Sequence, residues 1–572
     1  MAVESVFIEL SVIIIIAVLV SAIVRALRQP LIIGYIISGI LVSPYFFDLI
    51  KNVDSMATFA QIGVAVLLFM TGLNLNPKVV REVGKVAVIT GIGQIIFTFV
   101  LGFLILKAFG FSNVVSTYIS IAISFSSTII IMKMLSDLGD TNTLYGKISI
   151  GFLIVQDLVA ILILMFISSM GGIGDAPISL QKIGIGAGVI IGLLLFGSYV
   201  LPPMTKRIAR SQELLLLFSV SWALALASLF AYLGFSIEIG ALLGGITLSV
   251  SPYRYEIGAK MKPLRDFFLL MFFIVLGSQL TFGNIGEHIL PIASLSVLIL
   301  IGNPIIVMFL MGRLGYTKRN GFLAGLTVSQ ISEFSFILIA LGITVGHLTN
   351  DILSMITIIG LITMGVSAYA ILHGRKFYTY FSKFAGIFEN KGQKIDDGKY
   401  YQDEDYDIIL FGYNRIGYSL KDSFKKLKKK FLVVDNNPDT ITGLVRLGID
   451  CRYGDADDLE LLEELPLKKA KMIISTIPEV ETNLMLMKSA KKINREVIFL
   501  AVSHQIEEAL KLYEAGATYV ITPHFLGGKY TSSLIEKYGF KKEHFQRDGE
   551  RNVEELLKRK KEGHKDVLHE RD

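Results

Sequence analysis

The chain has 572 residues, of which 52% are hydrophobic and 18% charged, and its net charge is +6. Average soluble domains have about 25% charged residues, and the deficit here lies in residues 1–372, where long apolar runs dominate. Most Lys and Arg of that part lie between the apolar runs, so the basic charge does not indicate a nucleic-acid partner. A single cysteine excludes an intramolecular disulfide and argues against a structural metal site.

Thirteen apolar runs approach the length of about 20 residues that a helix needs to cross a bilayer. They predict membrane-spanning helices near residues 6–24, 30–47, 56–74, 85–109, 113–135, 146–170, 183–204, 212–233, 236–252, 264–281, 289–312, 320–345 and 352–372. With the N-terminus outside, seventeen Lys and Arg fall on the inside and three on the outside, as the positive-inside rule requires. We therefore expect a multi-pass plasma-membrane protein with a cytoplasmic C-terminal part.

Two of these runs contain clusters of polar side chains at matching places. The run near 183–204 would join two halves of six runs each and would invert the second half, an arrangement that recurs in transporters. The polar residues of the fifth and twelfth runs are Ser124, Ser126, Ser127 and Thr128, and Ser329, Gln330, Ser332 and Glu333. Two interpretations stay open: hydroxyls that bond to the preceding helical turn, or helices that are broken where they cross.

An acidic residue lies deep in the sixth run. Asp157 follows Lys147 by ten residues, which places it about 15 Å along a helix and near the middle of the membrane. A carboxylate there costs at least about 3 kcal/mol, so it must be protonated, paired or exposed to water. Such a group can hold either a proton or a monovalent cation, and Gln156, Ser126, Ser127 and Thr128 offer further oxygen ligands. The alternative is a structural ion pair, but no Lys or Arg lies deep in any run.

The membrane part resembles the cation:proton antiporter-2 family, in its Kef-type potassium/proton branch. The resemblance is carried by Gln156-Asp157 with Ser126-Ser127-Thr128, and by the segments beginning at Gln29, Gly63, Gly240, Pro263 and Ser329. It implies a homodimer in which a core bundle carrying Asp157 slides against a dimerisation bundle. Gln156, where sodium-type relatives often have Asp or Asn, favours potassium, and the absence of Lys from residues 267–280 favours electroneutral exchange.

Glu333 is the second acidic residue of interest, with Ser332 and Gln330 beside it. Two interpretations stay open: Glu333, with its two neighbours, shapes the ion path, or Glu333 forms an ion pair with a basic residue near the cytoplasmic side. Beyond the transported cation, the sequence predicts no metal site.

The C-terminal part predicts an α/β domain of the Rossmann type. A buried strand at 407–411 leads directly into Gly412-Tyr-Asn414-Arg415-Ile416-Gly417 and a helix, and a second strand ends in Asp435. Gly412 and Gly417 allow a tight turn and close packing, the helix N-terminus can bind phosphate, and Asp435 can accept hydrogen bonds from ribose. Further strands at 451–453, 472–475, 497–502 and 519–521 complete a doubly wound parallel sheet.

This region resembles the regulator-of-potassium-conductance (RCK, or TrkA-N) domain around Gly454-Asp455-Ala456. Asn414, where the middle glycine usually stands, favours a mononucleotide such as AMP over NAD(H), or a domain that has lost its ligand. The predicted domains are the exchanger at 1–375, a linker at 376–404, the nucleotide-binding domain at 405–525 and a charged tail at 526–572.

We therefore expect a mainly α polytopic membrane protein with a cytoplasmic α/β domain. The expected function is potassium/proton antiport regulated by an adenine nucleotide. Sodium/proton antiport by the same fold is an alternative. A gated channel is another, but no Thr-Val-Gly-Tyr-Gly-like filter occurs. A membrane-tethered oxidoreductase is disfavoured because no acid/base constellation follows the glycine motif, so the chain is not expected to be an enzyme.

Overall fold

The computed structural model describes residues 2–49, 53–74, 84–170, 188–189, 192–193, 195–233, 237–281, 285–389, 399–400, 405–413 and 415–561. The chain divides into two compact units, Met1–Thr141 with Tyr145–Asn390, and Asn142–Leu144 with Lys391–Asp572. Each unit is described separately below.

The described part of the first unit is helical. Its helices in chain order are α1 Ala2–Ala26, α2 Leu31–Val42, α3 Val53–Asn74, α4 Gly84–Ala108, α5 Asn113–Ala122, α6 Thr128–Asp137, α7 Leu144–Met170, α8 Leu201–Ile208, α9 Gln212–Tyr232, α10 Ile237–Ser249, α11 Arg254–Ser278, α12 Ile285–Val297, α13 Asn303–Arg313, α14 Lys318–Thr327, α15 Glu333–Thr344, α16 Asn350–Leu372 and α17 Gly374–Ala385. A π-helical segment, Leu298–Gly302, joins α12 to α13.

Seven helical segments of the described residues are long and apolar enough to cross a membrane. They lie in α1, α3, α4, α7, α9, α12 with α13, and α16, and four apolar helices are shorter: α2, α5, α10 and α15. Glycines allow these helices to pack closely, as at Gly39 of α2 and Gly277 of α11, where an added Cβ would strike the backbone of the other helix. The first unit therefore has the architecture of a polytopic membrane protein. Of the predicted linking run near 183–204, the structure describes residues 188–189, 192–193 and 195–204.

The fifth and twelfth predicted runs are each two helices rather than one. The fifth is α5 and α6, separated at residues 123–127, and the twelfth is α14 and α15, separated at residues 328–332. Of the two interpretations that the sequence left open, the broken helix is correct for both runs. The polar residues within each apolar run mark the positions of the breaks.

The second unit contains a seven-stranded sheet. The strands are β1 Lys399–Tyr400, β2 Ile408–Phe411, β3 Phe431–Asp435, β4 Cys451–Tyr453, β5 Met472–Ser475, β6 Ile498–Val502 and β7 Tyr519–Ile521. Their order is β1-β4-β3-β2-β5-β6-β7, and every pairing is parallel except that of β1 with β4. Strands β4-β3-β2-β5-β6-β7 have the order of a dinucleotide-binding fold, whose ligands bind where the direction of winding reverses, here between β2 and β5.

The helices of the second unit alternate with these strands. They are α18 Arg415–Lys426, α19 Pro438–Arg446, α20 Leu459–Glu464, α21 Val480–Ile493, α22 Ile506–Glu514, α23 Pro523–Tyr538 and α24 Lys542–Lys561. The six strands predicted from the sequence are all present. The predicted linker and the predicted charged tail both contain regular structure. Helix α17 and strand β1 lie within residues 374–400, and α23 and α24 occupy most of the tail.

Candidate functional site

The breaks in the two interrupted helices meet inside the first unit. The Ser126 hydroxyl donates to the Val328 carbonyl oxygen at 3.3 Å, and the Ser335 hydroxyl donates to the Ala122 carbonyl oxygen at 2.5 Å. These hydrogen bonds satisfy carbonyl groups that the broken helices leave unpaired. Each break is thus bonded to the other although about 200 residues separate them in the sequence.

A serine caps the helix that follows each break. The Ser127 hydroxyl accepts from the Ile130 amide at 3.2 Å, and the Ser332 hydroxyl accepts from the Phe334 amide at 3.2 Å. Ser332 and Ser335 also form a capping box at the start of α15. The positive ends of α6 and α15 therefore point into the region of the breaks, where they favour negative charge.

The Gln156-Asp157 pair lies at the centre of α7, as the sequence predicted. Gln156 is 1% exposed, and its side-chain oxygen accepts from the Ser126 amide at 3.2 Å while its amide nitrogen donates to Gln94. Both ends of the Gln156 amide are therefore engaged by the protein. Gln156 thus links α7 to the first break by hydrogen bonds. It can hold the break in position as well as serve as an ion ligand.

Three buried polar residues that sequence reasoning missed continue this network. Gln94 donates to the Thr98 hydroxyl at 2.9 Å, Thr98 donates to the Asn303 side-chain oxygen at 2.7 Å, and Asn303 donates to the Val328 carbonyl at 3.2 Å. All three side chains are 0% exposed. Their signal in the sequence is a polar side chain in an otherwise apolar run, the same signal that identified Asp157.

Asp157 lies close to Thr128 and to the second acidic residue. Its carboxylate interacts with the Thr128 hydroxyl and with Glu333. The residue is half-buried, and in the described part of the chain no Lys or Arg lies within ion-pair distance of its carboxylate. The Thr128 hydroxyl is buried and lies beside the Asp157 carboxylate.

The second break places Glu333, Ser332 and Gln330 together. Glu333 is 2% exposed at the start of α15, and its carboxylate accepts from the Ser332 hydroxyl at 3.2 Å. The Ser367 hydroxyl donates to the Gln330 side-chain oxygen at 2.8 Å, while the Gln330 amide nitrogen finds no acceptor among the described residues. Arg265 bonds to Asp266 at 2.8 Å and reaches Glu333 only through its longer-range field.

The predicted nucleotide turn follows β2 at the switch point of the sheet. Gly412 has φ +82°, and an added Cβ there would collide with the Thr476 hydroxyl. The Asp435 carboxylate accepts from the Tyr413 amide at 2.8 Å and from the Asn437 amide at 2.9 Å. Asp435 therefore holds the turn directly.

The other predicted nucleotide residues surround this turn. Arg415 begins α18, Ile416 is half-buried, and Gly417 packs so closely on the Gly412 carbonyl that no side chain fits there. Asp455 and Ala456 follow β4, with Ala456 buried and Asp455 half-buried. Asn414 lies outside the described residues. The phosphate-binding part of the predicted site thus has the expected backbone, a strand, a glycine turn and a helix N-terminus.

Comparison with known proteins agrees with both units. Residues 13–372 match the family model described as sodium/hydrogen exchanger, transmembrane, and residues 408–523 match that of the TrkA-N domain. The sodium proton antiporter of Methanocaldococcus jannaschii is 14% identical, with 67% of this chain and 99% of that chain covered and a TM-score of 0.47.

Two further solved structures are each similar to part of the chain. The TrkA-N domain of the inner membrane protein ybaL from Escherichia coli is 23% identical, with 23% of this chain and 99% of that chain covered and a TM-score of 0.23. The GsuK channel bound to NAD is 22% identical, with 42% of each chain covered and a TM-score of 0.21. The family model covers well over half of the chain and describes transporters, not enzymes. The chain belongs to the sodium/hydrogen exchanger family and combines a cation/proton antiporter domain with a C-terminal TrkA-N domain, the architecture of a Kef-type member of the cation:proton antiporter-2 group.

Proposed function

We propose that this protein exchanges potassium for protons across the membrane at Asp157 and that an adenine nucleotide bound to the TrkA-N domain regulates the exchange. The observation that carries the proposal is an acidic residue, Asp157, that lies beside the Thr128 hydroxyl and Glu333 near the breaks in two helices and has no basic partner among the described residues. A cation and a proton compete for one carboxylate, so only one of them can be carried in each half of the cycle. The gradient of either ion then drives the other, provided that the site opens to one side at a time.

The surroundings of Asp157 favour such competition. The N-termini of α6 and α15 stabilise a negative charge when no cation is present. Glu333 adds a second carboxylate nearby, and two neighbouring carboxylates in a membrane resist being ionised together. We propose that Glu333, with Ser332 and Gln330, lines the ion path, and that Ser126, Ser127 and Thr128 supply oxygen ligands or shape the break that supplies them.

Potassium is proposed because Gln156 stands at the position where sodium-type relatives often have Asp or Asn. A neutral neighbour leaves one negative charge at the site, which suits a large, weakly hydrated cation. Sodium/proton exchange is the second candidate, and the description of the matching family model as sodium/hydrogen exchanger favours it.

The regulatory ligand is proposed to be AMP or NAD(H). The glycine turn, the N-terminus of α18 and the Asp435 carboxylate offer donors to a phosphate and acceptors to a ribose. The solved structures that are similar to part of this chain include the GsuK channel bound to NAD and GsuK bound to ADP. Asn414, Arg415, Ile416, Asp455 and Ala456 are proposed to complete the site.

We also propose a homodimer in the plasma membrane, with the N-terminus outside and residues 405–525 in the cytoplasm. The distribution of Lys and Arg supports the orientation, and the resemblance to Kef-type antiporters supports the dimer. The exchanger is proposed to span residues 1–375, followed by the linker at 376–404 and, after the nucleotide-binding domain, by the tail at 526–572.

The test is ion-driven proton movement in proteoliposomes that contain a pH-sensitive dye. An outward K⁺ gradient is expected to acidify the vesicles, and Rb⁺ and Na⁺ are tested in turn to rank the cations. The Asp157→Asn variant should abolish exchange by every cation while remaining folded, because an amide cannot bind or release a proton in this range. Asp137→Asn changes an exposed carboxylate at the end of α6 and should leave the rate unchanged. Exchange by Asp157→Asn at the unmodified rate would overturn the proposal.

A further inference from the structure

Helix α17 has an unusual surface for a helix at the end of a membrane domain. Phe377, Tyr380, Phe381 and Phe384 follow the spacing i, i+3, i+4, i+7, so they form a single face. Their exposed fractions are 39%, 83%, 52% and 44% in that order. Four exposed aromatic side chains on three turns of helix form an apolar patch that a water-facing helix would not carry.

Lysines flank this aromatic face. At about 100° per residue, Lys376 and Lys383 lie together on one side of the helix, about 100° around from the centre of the aromatic face. Both lysines are exposed, and neither forms an ion pair with any residue in the part of the chain that the structure describes. From Gly374 to Phe388 the chain has three basic residues and no acidic one. The patch and its border therefore combine apolar surface with uncompensated positive charge.

The remaining side of α17 is fixed to the protein. Gly374, Tyr378 and Ala385 are buried, and the Tyr378 ring lies 5.9 Å from that of Phe322 on α14. Arg319 of α14 also stacks on the Tyr378 ring, at 5.7 Å from its centre. The helix is thus held in one orientation, and its aromatic face cannot turn inward to bury itself against the first unit.

The position of α17 in the chain selects the occupant of this face. The membrane-spanning helix α16 ends at Leu372, two residues before α17 begins. A helix that begins there starts at a membrane surface, where Tyr and other aromatic side chains are favoured and lysines extend toward the headgroups. Amphipathic helices with a basic polar side and an aromatic apolar side lie in that interface and prefer anionic lipids.

We propose that α17 is an interfacial helix whose aromatic face, Phe377, Tyr380, Phe381 and Phe384, inserts among lipid acyl chains while Lys376 and Lys383 bind anionic headgroups. The inner side of the same helix contacts the protein core at two points: Arg375 forms an ion pair with Asp140 at 2.6 Å, and Tyr378 packs on α14. Asp140 follows α6 and α14 precedes the second break, so the lipid-bound helix contacts the supports of both broken helices. Binding of α17 to the lipid surface would therefore also stabilise the positions of α6 and α14.

Site-directed spin labelling of the full chain in proteoliposomes tests the insertion. The only cysteine, Cys451, is buried, and Cys451→Ala gives a background for single labels at Tyr380→Cys and Phe384→Cys. Thr379→Cys is the matched control, because Thr379 is exposed on the same helix but faces away from the aromatic face. Val366→Cys on α16 provides a reference within the acyl chains, since Val366 is 50% exposed on a membrane-spanning helix.

The labels at positions 380 and 384 should collide with oxygen more than with a water-soluble nickel chelate, and the label at 379 should show the reverse. Equal nickel accessibility at all three positions would overturn the proposal. So would low accessibility to both reagents with dipolar broadening, which would indicate that a second copy of the chain covers the face. These readouts do not depend on ion transport, so they can fail or succeed independently of the antiport test.

The charge component is tested with vesicles of phosphatidylcholine alone and with added phosphatidylglycerol. Adding the anionic lipid should shift the labels at 380 and 384 deeper. The double substitution Lys376→Gln with Lys383→Gln should remove that shift, as should high salt. An unchanged shift in the double variant would refute the assignment of these lysines to lipid headgroups.

Discussion

At the scale of single residues, the site is defined as much by supporting side chains as by the carboxylates. Gln94, Thr98, Asn303 and Gln156 form an unbroken hydrogen-bonded chain between α4, α7 and α13, and this chain ends on both breaks. In a buried setting, a fully satisfied network fixes one geometry, and loss of one member leaves several groups unsatisfied. The network therefore determines where the oxygen atoms around Asp157 lie.

Asn303→Ala tests this support. The substitution removes the acceptor of the Thr98 hydroxyl, and a buried unsatisfied group costs about 1–3 kcal/mol, while the Val328 carbonyl keeps the Ser126 hydroxyl as its donor. We expect a lower melting temperature in detergent and a cation KM raised by more than the maximal rate falls. Ser294→Ala is the control, since Ser294 is half-buried on the preceding helix and its hydroxyl donates to the Leu290 carbonyl of the same helix. A variant with unchanged melting and unchanged KM would exclude Asn303 from the support of the site.

Asp435 combines two roles that substitutions can separate. Its carboxylate accepts from the Tyr413 and Asn437 amides, and we propose that it also accepts from a ribose hydroxyl. Asp435→Ala should weaken AMP or NAD(H) binding, measured by calorimetry, and should also destabilise the second unit, while Asp435→Asn retains one acceptor oxygen and should lose less of both. Exchange at Asp157 without nucleotide should persist in either variant. Nucleotide affinity equal to that of the unmodified protein in Asp435→Ala would contradict the assignment.

At the scale of elements, the sequence was most informative where a local pattern determines structure. All six parallel strands were predictable because short runs rich in Ile, Val and Phe are bounded by Gly, Asn and Asp, as at Ile408–Phe411. The breaks in the fifth and twelfth runs were indicated by serines, because Ser127 and Ser332 can cap a helix from within an apolar run. Local chemistry therefore located the elements that form the site.

Contacts between distant elements could not be predicted in this way. Nothing in the neighbourhood of Thr98 or Asn303 indicates that the two side chains meet, since 205 residues separate them. The strand β1 and the helix α17 were missed for a related reason. Both are stabilised by a partner far away in the sequence, β4 for one and α14 for the other.

The contact between Arg375 and Asp140 offers a test at this scale. The Asp140 side chain is 4% exposed, and its carboxylate accepts from Arg375 and from the Tyr145 hydroxyl. Arg375→Ala should lower the free energy of unfolding by about 1–3 kcal/mol and slow exchange, because it releases α17 from the end of α6. Arg375→Lys keeps the charge but loses the planar fork, and it should recover part of the loss. Stability and transport equal to those of the unmodified protein in Arg375→Ala would show that this contact of α17 does not stabilise the first unit.

At the scale of the whole molecule, the two units meet different solvents and should respond differently to pH. In the second unit, the hydrogen bond from Lys471 at 2.8 Å, together with the charge of Lys429, lowers the pKa of the Asp407 carboxyl below its usual value. Asp407 immediately precedes β2, and its backbone is bonded to the segments that precede β3 and β5. The pair therefore fastens the N-terminal ends of three adjacent strands.

The sign of the resulting pH dependence follows from the lowered pKa. The folded state binds the Asp407 proton less tightly than the unfolded chain, so the contribution to stability is present above the unfolded pKa, about 3.9, and is lost as the pH falls through the lower folded value. In thermal unfolding of the full-length protein, the unfolding temperature of the second unit should decrease as the pH is lowered from about 5 to about 3. Asp407→Asn should flatten that decline. Asp405→Asn is the matched control, because the Asp405–Lys469 pair is 62% and 65% exposed and contributes little at the surface. An equally steep decline in Asp407→Asn would place the acid sensitivity of this unit elsewhere.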